Sequence, residues 1–155
     1  MTDAPAPRWL SSTEMDAWMN LVQVLMVLPT ALDQQLREDA GLPHAYYMIL
    51  ATLSGRPGRA MRMTQLARGS GTTTTRLSHA VTALEQRGWI RRYPCPSDKR
   101  GQIAELTDEG MAALRAAAPG HVSEVRRLVF DRLTDEDVTH LREIAAKLLP
   151  PGADA

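Results

Sequence analysis

At 155 residues with one cysteine, Cys95, the chain is long enough to bury a core and has neither a disulfide framework nor a cysteine-built metal site. The formal net charge is zero, yet residues 56–102 hold ten basic side chains against Glu85 and Asp98 alone, which leaves eight bases and sixteen acids elsewhere. A basic middle between acidic flanks argues for a central surface that meets a polyanion. No signal-peptide pattern is present and the longest apolar patch, Val22 to Pro29, is broken by Gln23, so the expectation is a cytoplasmic protein with no membrane partner.

The first nine residues, with Pro5 and Pro7, read as a lead-in. Ser11 and Glu14 then form a capping-box pattern, and Met15, Trp18, Met19, Val22, Leu25, Met26, Leu32 and Leu36 keep a helical period down to Gly41, with a kink expected at Pro29. Pro43 suits the first turn of a second helix, whose buried face is Tyr47, Ile49, Leu50 and Leu53. After a turn at Ser54–Arg59, Met61–Met63 reads as extended, Thr64 as the cap of a brief helix, Gly69-Ser70-Gly71 as a turn, and Thr72 or Thr73 to Gln86 as a longer helix closed by Gly88. Two helices across a glycine turn make a helix-turn-helix. Trp89–Tyr93 and Gln102–Leu106 flank a proline-rich turn and predict a hairpin, which in this place is a wing. Thr107 caps a further helix with a break expected at Pro119-Gly120, and Thr134 with Asp137 starts a last one carrying Val138, Leu141, Ile144 and Leu148. The fold class is therefore mainly α with a small β-hairpin wing.

On the longer helix, Leu77, Ala80, Val81 and Leu84 share one side at 100° per residue, while Thr72, Thr75, Arg76, His79 and Ala83 fall opposite. An arginine there can donate two hydrogen bonds to a guanine, and threonines reach phosphates or base edges. The free face thus predicts DNA contacts from Thr72, Thr75, Arg76 and His79. No paired carboxylates, Ser/His/Asp set or nucleotide loop appears, so no enzyme, cofactor or metal is expected.

From Thr64 to Gly110 the sequence resembles the MarR family of winged-helix transcription factors, on Leu66-Ala67, the run ALEQRGWIRR at Ala83–Arg92, Asp98-Lys99-Arg100, and LTDEG at Leu106–Gly110. The resemblance implies that Arg100 enters the DNA minor groove, braced by Asp98, while Lys99 stands where the family commonly has arginine and neutralises a phosphate. It implies a homodimer, with residues 10–41 and 107–150 as dimerisation helices, 42–106 as the DNA-binding domain and 151–155 as a tail. Two recognition helices on a two-fold axis call for a near-palindromic operator. A repressor released by a small, often aromatic or phenolic effector is implied too, with Trp18, His44 and Tyr47 as candidate ligand contacts. Alternatives from the residues are a thiol-responsive regulator acting through Cys95, expected exposed in the wing among Arg91, Arg92 and Lys99, and a winged-helix adaptor for an acidic protein.

Overall fold

A computed structural model describes residues 7–69, 73–96 and 98–149 of the chain, without the side chains of Lys99 and Arg100. In chain order the elements are α1 (Ser12–Ala40), α2 (His44–Ser54), β1 (Ala60–Arg62), α3 (Met63–Gly69), α4 (Thr74–Gln86), β2 (Ile90–Cys95), β3 (Asp98–Leu106), α5 (Asp108–Leu128) and α6 (Asp135–Leu148). This is the expected mainly helical class with a hairpin wing. The sheet is antiparallel in the order β1-β3-β2.

Local chemistry sets the helix ends. Ser11 and Glu14 close a reciprocal capping box on α1, and Gly41 stops it at φ 59°, sending its N–H to the Arg37 carbonyl at 3.0 Å. Pro43 lies one residue outside α2 as its cap and has no side-chain acceptor to offer. Asp33 of α1 supplies one instead, accepting the His44 N–H at 2.9 Å. Thr73 caps α4, Thr107 caps α5, and Thr134 with Asp137 forms a second capping box on α6.

Three sequence expectations need correction. First, α5 runs unbroken through Pro119. At Gly120 a Cβ would lie 3.1 Å from an Asp39 carboxylate oxygen and 3.2 Å from the Gln35 amide nitrogen, so α1 packs closely on α5 there and tertiary contact overrides the proline penalty. Second, α3 starts at Met63, which puts Thr64 inside its first turn, and the hairpin strands run further toward the turn than the expected Trp89–Tyr93 and Gln102–Leu106. Third, α1 is long and apolar enough, by length and composition, to cross a bilayer. Gln23 interrupts the apolar run, but no charged residue stands between Asp16 and Asp33. Pro29 lies inside this helix, as the sequence places it.

The core gathers Leu36, Leu42, Ile49, Leu50, Leu53, Leu66, Leu77, Val81, Leu84, Ile90, Ala104 and Leu106. It joins the end of α1, all of α2 and the inner faces of α3, α4 and the sheet, which makes a rigid seat for α4 and the wing. The rest of α1 is different: Met15, Trp18, Met19, Val24, Leu25, Met26 and Val27 are exposed, and α6 buries no residue at all.

Candidate nucleic-acid interface

Helix α4 presents the two faces its sequence dictates. Leu77, Ala80, Val81 and Leu84 are buried, whereas Thr75, Arg76 and His79 are exposed and Ala83 sits half-buried at the edge. The Thr73 hydroxyl accepts the Arg76 N–H at 3.3 Å, which leaves the first-turn donors of α4 facing outward beside the arginine. Among the described residues no acid forms an ion pair with Arg76. Thr72 lies outside the described residues, as do the side chains of Lys99 and Arg100, whose backbone belongs to β3.

Beside α4, a cleft of about 320 Å³ separates its start from the wing and is lined by Thr64, Thr74, Ser78, Asp98 and Gln102, among others. Asp98 sits at its edge, with one carboxylate oxygen 3.9 Å from Arg62 of β1. The turn is tight here, since a Cβ on Gly101 would fall 3.0 Å from Asp98 Oδ2 and 3.2 Å from Cys95 Cβ. Cys95 is consequently buried, at 6 % exposure, which corrects the expectation of an exposed thiol.

The basic stretch is less free than its composition implies. Arg91 is gripped by both Glu105 oxygens at 2.8 and 3.1 Å, and Arg59 meets Asp108 at 2.8 Å. Those two acids lie just outside the basic segment, so counting charge by segment overstates the field. Arg92 is held by Glu85, which also takes its backbone N–H at 2.9 Å. The Arg91 hydrogen bonds hold the Glu105 carboxyl below the usual carboxylate range and raise the guanidinium in return. Sequence reasoning missed these clamps, although Glu85, one of two acids among ten bases, was a visible signal.

The three candidate ligand residues are not brought together. His44 and Tyr47 share a turn of α2, but Trp18 stands about 22 Å along α1 from Asp33, the residue that α2 abuts. The missing member is His121 of α5, 8 % exposed, with its ring centroid 4.3 Å from Tyr47 and 5.5 Å from His44. Its register with Gly110, Leu114 and Ala117, all buried, could have revealed it. Burial lowers both histidine pKa values, the mutual repulsion adds to the effect at His121, and Asp33 opposes it at His44. Burial likewise raises the Tyr47 phenol.

A MarR family model matches residues 40–101, the stretch from the end of α1 into the wing. Among curated proteins, the HTH-type transcriptional regulator PecS of Dickeya dadantii (strain 3937) is 31% identical over 83% of this chain and 76% of its own length. The transcriptional repressor MprA of Escherichia coli (strain K12) is 28% identical over 70% of this chain, a match spanning 61% of MprA. Among solved structures, Sco3205 of Streptomyces coelicolor, a MarR family transcriptional regulator determined in complex with DNA, superposes with a TM-score of 0.85 at 50% identity, covering 97% of both chains. With the helix-turn-helix, the wing and these likenesses in place, the chain belongs to the MarR family of transcriptional regulators, a family of regulators and not of enzymes.

Proposed function

We propose that the chain is a homodimeric, sequence-specific repressor that binds a near-palindromic operator and leaves it when a small aromatic or phenolic molecule binds. The observation that carries the reading is the outward face of α4, where Thr75, Arg76 and His79 are exposed beside the wing and, among the described residues, no acid forms an ion pair with Arg76. Thr72 and Lys99 join them as expected DNA contacts, and Arg100 as the minor-groove reader braced by Asp98. Residues 42–106 form the DNA-binding part, and residues 10–41 with 107–150 the dimerisation part. The uncovered apolar side of α1 and the exposed α6 support that division. The DNA complex of Sco3205 supports the target, and the likeness to the transcriptional repressor MprA supports repression.

The effector would meet His44 and Tyr47 where α2 abuts α5, with Trp18 reaching such a site only from the other subunit. Burial of Cys95 counts against the thiol-responsive alternative. The test is selection of genomic fragments by the purified protein, followed by titration of the selected site and of random DNA across a salt series. One dimer per near-palindrome with a strong preference is expected. Weak binding without preference would overturn the reading in favour of a protein partner for this face.

A further inference from the structure

Resting on the DNA-binding reading, we propose that Glu85 and Arg92 are positioning residues that fix the wing's orientation on the recognition helix, and that Arg92 is not itself a DNA contact. Strand β2 is an edge of the sheet, so the N–H groups on its outer side have no strand to pair with. Glu85, in the last turn of α4, accepts the Arg92 N–H at 2.9 Å and the Arg92 Nε–H at 2.8 Å, and its second oxygen also takes the Nη2 group. The same Nη2 reaches one turn back along α4 to the Thr82 hydroxyl at 3.1 Å, and that hydroxyl donates to the Ser78 carbonyl at 2.9 Å. One guanidinium thus fastens β2 to two successive turns of α4.

The chain between these elements is short. Gly88 turns it at φ 73°, and Trp89 returns its N–H to the Leu84 carbonyl at 3.0 Å. That junction, with Ile90 in the core and Thr107 bonded to the Gly88 and Trp89 carbonyls, fixes the root of β2, and an attachment four residues past Gly88 ties the strand beyond that root to the helix. Both side chains are about three-quarters shielded, at 22% and 27% exposure, so the pair is screened less than a surface pair and its fork geometry is held. Reading a major groove with α4 and a minor groove with the wing requires both to be correct at once, because a small angular error at the root of β2 moves the hairpin tip by far more than the root itself. Position is what the clamp supplies.

Charge alone predicts something else, which makes the test sharp. If the two residues acted only through the field, Glu85→Gln would tighten binding to every DNA by removing an acid. Arg92→Gln would then weaken binding to every DNA and reduce the salt slope by about one. The clamp predicts that both variants lose at least tenfold in affinity for the selected site, change less than about twofold on random DNA, and leave the salt slope unchanged. Arg92→Lys, which keeps the charge but cannot fork, should fall with them. Amide exchange on the unbound protein is the second readout: the Arg92 N–H should exchange at least tenfold faster in Glu85→Gln while the α4 core amides keep their protection, which separates a released wing from an unfolded domain. Opposite signs for the two variants, or equal losses on both DNAs, would overturn the proposal. A wild-type protein without sequence preference overturns the DNA reading and this inference together; a discriminating wild type whose variants discriminate equally well overturns the inference alone.

Discussion

Gly110 has no room for a side chain. A Cβ there would stand 2.2 Å from the Trp89 carbonyl oxygen and 2.7 Å from Leu106 Cδ1, because the first turn of α5 is laid directly on the chain entering the wing. Thr107 secures that contact, capping the Gly110 N–H at 3.0 Å and donating to the Gly88 carbonyl at 2.7 Å. Gly110→Ala should therefore lose roughly 1–3 kcal/mol despite the better helix propensity of alanine, since backbone must shift to admit the methyl. A thermal melt matching wild type would show that the turn yields freely. The exposed Arg76 poses the opposite case: its substitution should leave the melt unchanged and act on recognition. Arg76→Ala is expected to cost roughly 1–3 kcal/mol on the preferred site and relax base preference, while Lys99→Ala weakens specific and random DNA alike. Equal losses on both DNAs for Arg76→Ala would remove it from base reading. At this scale the sequence marked out the free face of α4, because a helical period alone separates Leu77 and Leu84 from Arg76. It could not say which arginines are already taken, since the partners of Arg59, Arg91 and Arg92 lie 49, 14 and 7 residues away and the pairing is created by the fold.

Among the elements, the junction of α1, α2 and α5 couples packing to protonation. His121 is buried against Tyr47 and His44, and its Nδ1 has no hydrogen-bond partner there. Burial favours the neutral ring, so both histidines bind a proton less readily in the folded chain than at their ordinary value of 6.5. The unfolded chain then carries more protons as the pH drops below about 6.5, and stability must fall in that direction and be complete above it. Melts from pH 8 to 5 should show a decline that His121→Gln flattens, ahead of the carboxylates, whose lowered values defer their loss to more acid solution. A wild-type melt flat to pH 5 would mean that the ring finds a compensating partner. The caps that bound these helices were legible because each is a local pattern three residues long, as at Ser11, Thr107 and Thr134. Pro119 was misread because its tolerance depends on Gly120 meeting α1, some eighty residues earlier in the chain.

Taken whole, the described part of the chain leaves many large apolar side chains uncovered on α1 and α6. Leu25, Met26 and Val27 of α1 are 60%, 70% and 65% exposed, and Ile144 and Leu148 of α6 are 55% and 66% exposed, on helices other than the recognition helix α4. Surface of this kind marks an interface, and here the same stretch of α1 is apolar enough to satisfy a bilayer. A second copy is the occupant that also explains the bare α6, whose apolar stripe has a capped, regular helix behind it and is left exposed by the described residues. The expectation is a particle of twice 17.1 kDa by light scattering without detergent, with a melting temperature that rises with protein concentration. Leu25→Glu combined with Ile144→Glu places a charge on each of the two stripes, so it should shift the dimer toward monomer. Operator affinity should then fall at least tenfold, and random DNA should be affected less, because only the paired recognition helices can read a near-palindrome. A monomeric wild type, or one recovered only in detergent or vesicles, would assign the apolar side of α1 to another partner and leave each recognition helix to act alone.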